Sequence, residues 1–172
     1  DRIEGSYNPF DRFGDGNDRL IGGAGDDLLI GGQNAHATGG YYVDTYVFSS
    51  GSGHDQIVGF LVDGTGYSGE YYDRIEIVAG INGTDIATSG DVLERISANA
   101  DGDAVIDLGD GNSVLFKDVS TSELQQHHFN IVPNYDTLIQ GTSSDDTLVG
   151  TSGNDRIGGG ENVTDRFGDG ND

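Results

Sequence analysis

From Phe13 to Ile30 the chain reads FGDGNDRLI and then GGAGDDLLI, two consecutive nine-residue units with Gly at the second and fourth positions, Asp at the sixth and Leu at the eighth. Six residues of such a unit make a tight turn and three a short strand, so two units complete one coil of roughly 18 residues with a turn on each side. Gly is wanted where a turn needs positive φ or close backbone approach. In such a turn the carbonyls point inward between successive coils. The Asp at the sixth position adds a carboxylate, giving an all-oxygen cage suited to a hard cation of the Ca²⁺ type. The apolar residue two positions on, Leu20 or Leu29, points into the coil.

Further units follow with defects. GGQNAHAT is one residue short and puts His36 where Asp belongs; GGYYVDTYV keeps Asp44 and Tyr46, and SGSGHDQIV keeps Asp55 and Ile57. After a gap, GTSSDDTLV and GTSGNDRIG restore the rhythm with Asp146 and Leu148, then Asp155 and Ile157. The Asp-x-apolar core also holds at Asp1/Ile3, Asp136/Leu138 and Asp165/Phe167. Stacking between turns two units apart predicts Asp18, His36 and Asp55 on one side, and Asp27 and Asp44 on the other. His36 is no hard-cation ligand, so its turn is expected to bind weakly or not at all. His36 and His54, both in loops, read as solvent-exposed.

Charge bears on the same point. Thirty acids stand against seven Arg and the single Lys117, a formal net charge of −22. Nothing in such a chain could neutralise phosphates, which excludes nucleic acid as a partner. Uncompensated, that much like charge opposes compaction. There is no Cys, so any staple must be built from oxygen. No apolar run approaches the roughly 18 residues that would span a bilayer.

Residues 59 to 140 lose the nonapeptide. YYDRIEIVAG alternates, with Ile75 and Ile77 on one face, and VLERISANA, AVIDLGDGN and SVLFKDV read as short strands joined by Gly/Asp turns. An antiparallel meander is expected. STSELQQHHFNI opens with a capping box, Ser120 to Glu123, predicting a short helix near 121–128; His127 and His128 at its end read as structural. DGDAVID reads as a plain hairpin rather than a cation loop, and GTGYSGEYY as a loop insertion whose tyrosines pack over the meander rather than stack on a sugar.

The units DRFGDGNDRLIGGAGDDLLIGG resemble the RTX (repeats-in-toxin) family of secreted bacterial proteins. GGYYVDTYVFSSGSGHDQIVGF is similar to the exit of an RTX β-roll, and AVIDLGDGNSVLFKDVSTSELQQHHF to the segments that cap such rolls. The resemblance implies an all-β chain: a parallel β-roll of Ca²⁺-binding coils over 1–58, a β-rich cap with one short helix over 59–140, and the start of a second roll over 141–172. It also implies export unfolded through a type I secretion system to a Ca²⁺-rich exterior. The ligands it implies are the carboxylates of Asp18, Asp27, Asp44, Asp55, Asp146, Asp155 and Asp172. The neighbouring glycines Gly14, Gly16, Gly22, Gly23, Gly25, Gly39, Gly40, Gly51, Gly53, Gly153 and Gly170 would supply carbonyls. Departures at Asn34, His36 and Tyr42 weaken individual sites.

The stretch Asp1–Asp18 matches Asp155–Asp172 at 13 of 18 positions, a constant offset of 154 residues. This points to one period, plus an overlap, of a longer tandem array. The favoured reading is a non-catalytic structural module of a large RTX adhesin or surface filament. Its partners would be Ca²⁺ and neighbouring copies of itself, in tandem or head to tail, with surface polysaccharide a further candidate. The alternative is an ancillary module of a secreted enzyme such as a mannuronan C5-epimerase, lipase or serralysin-like protease. Catalysis by the chain itself has little behind it: HExxH, GxSxG and Cys are all absent.

Overall fold

The computed structural model describes residues 2–4, 17–32, 42–66, 69–134, 137–140 and 155–158, in two compact units, Asp1–Val132 and Pro133–Asp172. The described residues are mostly strand. In chain order the first unit runs β1 (Arg2–Glu4), β2 (Arg19–Ile21), β3 (Leu28–Ile30), β4 (Thr45–Phe48), β5 (His54–Val58), β6 (Gly64–Gly66), β7 (Gly69–Tyr71) and β8 (Arg74–Val78). A helix α1 (Ser89–Leu93), then β9 (Ile96–Ala98), β10 (Ala104–Gly109), β11 (Asn112–Lys117) and β12 (Phe129–Val132), complete it. The second unit carries β13 (Thr137–Gln140) and β14 (Asp155–Gly158), paired in parallel.

From β1 to β5, successive strands fall alternately into two sheets. One has the order β1-β3-β5-β11-β10-β9 and the other β12-β8-β4-β2. Every pair from β1 to β11 in the first, and every pair in the second, is parallel. Register explains the core. The eighth residues of the repeat stand opposite one another, Leu20↔Tyr46↔Ile75↔Phe129 in one sheet and Leu29↔Ile57↔Phe116 in the other. All seven are buried. Each strand supplies the core through alternate residues, so the two parallel columns bury their apolar side chains against each other over a very short strand length.

The meander expected for 59–140 is confined to β9-β10-β11 and the β6-β7 hairpin, which are antiparallel. β8, β11 and β12 instead extend the two parallel sheets. The reason is visible in YYDRIEIV, where Asp73 and Ile75 restore the Asp-x-apolar core and Ile75 takes its place beside Tyr46. The β10–β11 turn is a two-residue hairpin through Asp110 (φ 49°) and Gly111 (φ 75°), the Asp-Gly combination that such turns favour. DGDAVID is likewise a hairpin: the Asn99 Oδ1 accepts the amides of Asp101 and Asp103. Lys117 binds the Asp103 carboxylate at 3.0 Å and holds it below the usual carboxylate range.

The predicted helix over 121–128 is instead a turn followed by one 3₁₀ turn, Gln126–His128. Its capping contact forms, with the Ser120 amide donating to Glu123 Oε2 at 2.8 Å. Yet the next buried apolar residues, Leu124 and Phe129, are five apart, which no helical face accommodates, and Phe129 is claimed by β12. The one α-helix among the described residues lies elsewhere. Thr88 caps it and Asp91 closes the box from the third position, with Val92 fully buried beneath. Tyr72 packs against the rings of His127 and His128, with the Arg74 guanidinium over its face.

Candidate metal centre

Asp18, Asp27, Asp44 and Asp73 sit immediately before a strand and Asp55 is the second residue of one, so parallel pairing stacks these residues in two files. Thr45 pairs with Arg19 and with Arg74, which aligns Asp18, Asp44 and Asp73. Gln56 pairs with Leu28, which aligns Asp27 with Asp55. The assignment expected from counting units, with Asp18 beside Asp55 and Asp27 beside Asp44, is therefore incorrect. Among the described residues the strand that follows β3 is β4, in the other sheet; GGQNAHAT, whose eighth position is Thr38 rather than an apolar residue, falls between them and from Gln33 on lies outside the described residues. A side chain added at Gly22 would lie 2.5 Å from Asp27 Oδ2, and one at Gly31 would strike Asp44 Oδ2 in the same way. Gly31 thus stands to Asp44 as Gly22 stands to Asp27.

Each contact between stacked turns is a recurring set of hydrogen bonds. The amide of the sixth residue donates to the side chain in the next turn: Asp18 to Asp44 Oδ1 at 2.9 Å, Asp44 to Asp73 Oδ1 at 2.8 Å, Asp27 to Asp55 Oδ1 at 2.9 Å. The seventh amide of the next turn donates back to the sixth carbonyl, as in Thr45 to Asp18, Arg74 to Asp44 and Gln56 to Asp27, all at 2.8 Å. Where the fifth residue can accept, a third bond forms: the Val43 amide to Asn17 Oδ1 and the His54 amide to Asp26 Oδ1. Bonds from an amide to a carboxylate are charge-assisted and stronger than neutral ones. The aspartates therefore fix the stacking distance of the turns.

Fixing that distance brings backbone close to backbone. The turn containing Gly53 (φ +93°) approaches the Gly25 carbonyl so nearly that an added Cβ would lie 2.5 Å from its oxygen. Beside this approach, Asp55 is 3 % exposed, and its Oδ2 and the Ser52 hydroxyl are buried without a hydrogen-bond partner. Burial raises the Asp55 carboxyl above its usual range, against the opposing effects of the Asp27 amide and of the adjacent Ser52 hydroxyl, which lies outside hydrogen-bonding geometry. A buried carboxylate oxygen with no protein donor is costly, and a hard cation is the species that would offset the cost. Among the described residues no three His, Asp or Glu side chains gather on one point. Each turn contributes one sixth-position carboxylate, so the remaining donors for a cation would be carbonyls and hydroxyls, a set that suits Ca²⁺.

Of the residues expected as ligands, Asp18, Asp27, Asp44 and Asp55 and the glycines Gly22, Gly23, Gly25, Gly51 and Gly53 lie in these turns. Gly14, Gly16, His36, Gly39, Gly40, Asp146, Gly153, Gly170 and Asp172 lie outside the described residues; Asp155 opens β14, its side chain likewise outside them. Three participants went unrecognised. Asp73 is fully buried and accepts the amides of Asp44 and Leu61; its spacing to Ile75 could have revealed it. Asn112 Oδ1 accepts the Gly53 amide at 2.7 Å, although the residue in register with Asp55 is Val114. Asp26 acts from the fifth position.

A family model for the RTX calcium-binding nonapeptide repeat matches the chain in four copies, over residues 14–35 and 134–162. These are RTX calcium-binding nonapeptide repeats. RTX nonapeptide repeats bind Ca²⁺ ions and are structural, non-catalytic units; proteins that carry them are typically secreted by bacteria. No curated protein matches the chain. The hydrogen-bonded stacking runs beyond the first matched RTX stretch, through Asp44, Asp55 and Asp73. No helix among the described residues is long and apolar enough to cross a membrane.

Proposed function

We propose that the chain is a calcium-binding structural module of a secreted or cell-surface bacterial RTX protein, and that its alternating strands are the coils of a parallel β-roll that folds on Ca²⁺ outside the cell. The observation that carries this is the buried Asp55 carboxylate, with one oxygen bonded to the Asp27 amide and the other without a protein donor, at a turn whose neighbour turns a carbonyl toward it. The ligands we assign are the carboxylates of Asp18, Asp44 and Asp73 in one file and of Asp27 and Asp55 in the other, with turn carbonyls such as that of Gly25. By sequence phase, Asp146, Asp155 and Asp172 serve the C-terminal repeats. The module itself catalyses nothing; its work is to stiffen, in a long surface protein built of copies like it.

The formal charge of −22 gives the reading its test. Ca²⁺ supplies the counter-charge, and binding free energy of this kind is folding free energy. Circular dichroism in excess chelator should show a largely disordered chain that gains β signal on addition of millimolar Ca²⁺. A spectrum that is the same in both conditions would overturn the proposal.

A further inference from the structure

The third residue of a repeat turn is placed differently in the two stacked turns of Asp27 and Asp55. In GGAGDD it is Ala24, which is exposed, and in SGSGHD it is Ser52, which is 3 % exposed. The turn of Ser52 stacks on that of Asp27 through the His54-to-Asp26 and Asp27-to-Asp55 bonds. It is also held by the loops of the cap, the Gly51 amide donating to Asn82 Oδ1 at 2.8 Å and the Gly53 amide to Asn112 Oδ1 at 2.7 Å. These contacts commit the amides of Gly51, Gly53 and His54, which flank Ser52 in the chain. Its Oγ and the adjacent Asp55 Oδ2 are both left buried without a hydrogen-bond partner, and burying a polar atom in that way is costly. Nothing in the turn itself calls for the hydroxyl, because Ala24 serves at the equivalent position.

We propose that Ser52 is a ligand of the cation held at this turn, its hydroxyl oxygen coordinating beside Asp55 Oδ2. Ca²⁺ is bound by charged and neutral oxygens alike, so one ion shared by the two atoms offsets the burial of both. Each turn offers a single sixth-position carboxylate, and a third-position hydroxyl adds a side-chain oxygen here without adding charge. A turn with Ala at the third position, as in that of Asp27, lacks this donor. The cation site at Asp55 is therefore built from the side chains of two repeat positions rather than one. The inference rests on the reading of the chain as a calcium-binding module and adds a ligand to it.

The test uses the full chain. Ser52→Ala removes an oxygen that bonds nothing in the protein, so a hydroxyl with no ion to serve would leave Ca²⁺ binding unchanged or tighter. If the hydroxyl is a ligand, its loss should weaken Ca²⁺ binding at one site about tenfold, the size of one polar contact to a charged group, as read by calorimetry. Ser52→Cys reports on the contact itself. The chain has no native cysteine, and sulfur is a soft ligand that favours softer ions than Ca²⁺. This variant should bind Cd²⁺ with an ultraviolet sulfur-to-cadmium charge-transfer band, and excess Ca²⁺ should abolish the band by taking the same site. Ala24→Cys, exposed at the equivalent position, should give no band that Ca²⁺ displaces. Unchanged or tighter Ca²⁺ binding in Ser52→Ala, or a folded Ser52→Cys chain without a Ca²⁺-displaced band, overturns the assignment; should Ser52→Cys not fold, Ser52→Ala decides alone. If the unmodified chain still gains its β signal on Ca²⁺, that failure leaves the module reading standing, whereas a chain indifferent to Ca²⁺ overturns both.

Discussion

Gly51 and Gly53 flank Ser52 in one turn, and replacing each by Ala separates two things that a glycine can be needed for. Both have positive φ, +81° and +93°, but a Cβ at Gly51 would meet nothing within 4 Å, whereas one at Gly53 would lie 2.5 Å from the Gly25 oxygen and 2.7 Å from its carbonyl carbon. Gly51→Ala therefore costs backbone strain alone, about 1–2 kcal/mol, eased by a few tenths through the stiffer unfolded chain. Gly53→Ala carries the same strain and must also part the turns. Parting them loses the His54-to-Asp26 and Asp27-to-Asp55 bonds, of 2.8 and 2.9 Å, at about 1 kcal/mol each. The expected costs are about 1 and about 3 kcal/mol. Urea denaturation in saturating Ca²⁺ measures both, and Ca²⁺ affinity should fall clearly only for Gly53→Ala. Equal costs within about 0.5 kcal/mol, roughly the error of such a comparison, would refute the claim that the turns are held at a fixed close approach.

Asp27→Ala removes a carboxylate from a well-formed turn and should lower Ca²⁺ stoichiometry or affinity by calorimetry, whereas His36→Ala should leave both nearly unchanged; equivalent effects would contradict the ligand assignment. Asp73→Ala should resemble Asp27→Ala rather than His36→Ala, and in saturating Ca²⁺ should also lower the urea midpoint through the two amides it leaves without an acceptor. Acid should weaken the fold through His128. Its Nδ1 accepts the Gln125 amide at 2.9 Å, so Nε2 carries the hydrogen given to the Val62 carbonyl at 2.8 Å, and burial lowers its pKa. A base with a lowered folded pKa gives its full stability above the unfolded value, about 6.5, and loses it as pH falls from there toward the folded value. Stability measured between pH 8 and pH 5 should show this slope, and His128→Phe should flatten it.

How much could be read from the sequence depends on how local each signal is. The Asp-x-apolar core is local, and Asp18/Leu20, Asp27/Leu29, Asp44/Tyr46 and Asp55/Ile57 all stand where the period places them, at the start of a strand and with the apolar residue buried. Which turn stacks on which is not local. It depends on how many strands lie between two turns, which no single unit declares. The helix over 121–128 failed for a related reason: the cap at Ser120 and Glu123 formed, but a cap specifies a first turn and leaves the next turn to packing. The same box at Thr88 and Asp91 was legible and does open α1, with Val92 supplying the buried contact that STSELQQHHF lacks at helical spacing.

The sixth-position acid has two oxygens and two kinds of work, fixing register and holding charge for a cation. One oxygen accepts an amide from the preceding turn, and in Asp73 both do, from Asp44 and Leu61. That bond sets register: slipping one coil past another by a single residue would break the amide contacts of both files together and turn the apolar columns outward. The charge is the part that backbone amides only partly answer. Cations on the flanks are committed elsewhere, Arg19 to Glu76, Arg95 to Asp85 and Asp107, Lys117 to Asp103 and Asp118. At Asp55 the second oxygen faces the interior without a donor. Asp55→Asn keeps an acceptor for the Asp27 amide and removes the charge. At a Ca²⁺ concentration that leaves the unmodified chain only part folded, it should therefore show the larger folded fraction above the carboxylate range. In saturating Ca²⁺ it should be the less stable of the two. That inversion, read from circular dichroism at limiting Ca²⁺ and from urea midpoints at saturating Ca²⁺, separates a carboxylate kept for a cation from one kept for the fold, and an Asn variant less folded in both conditions would assign Asp55 to the fold alone.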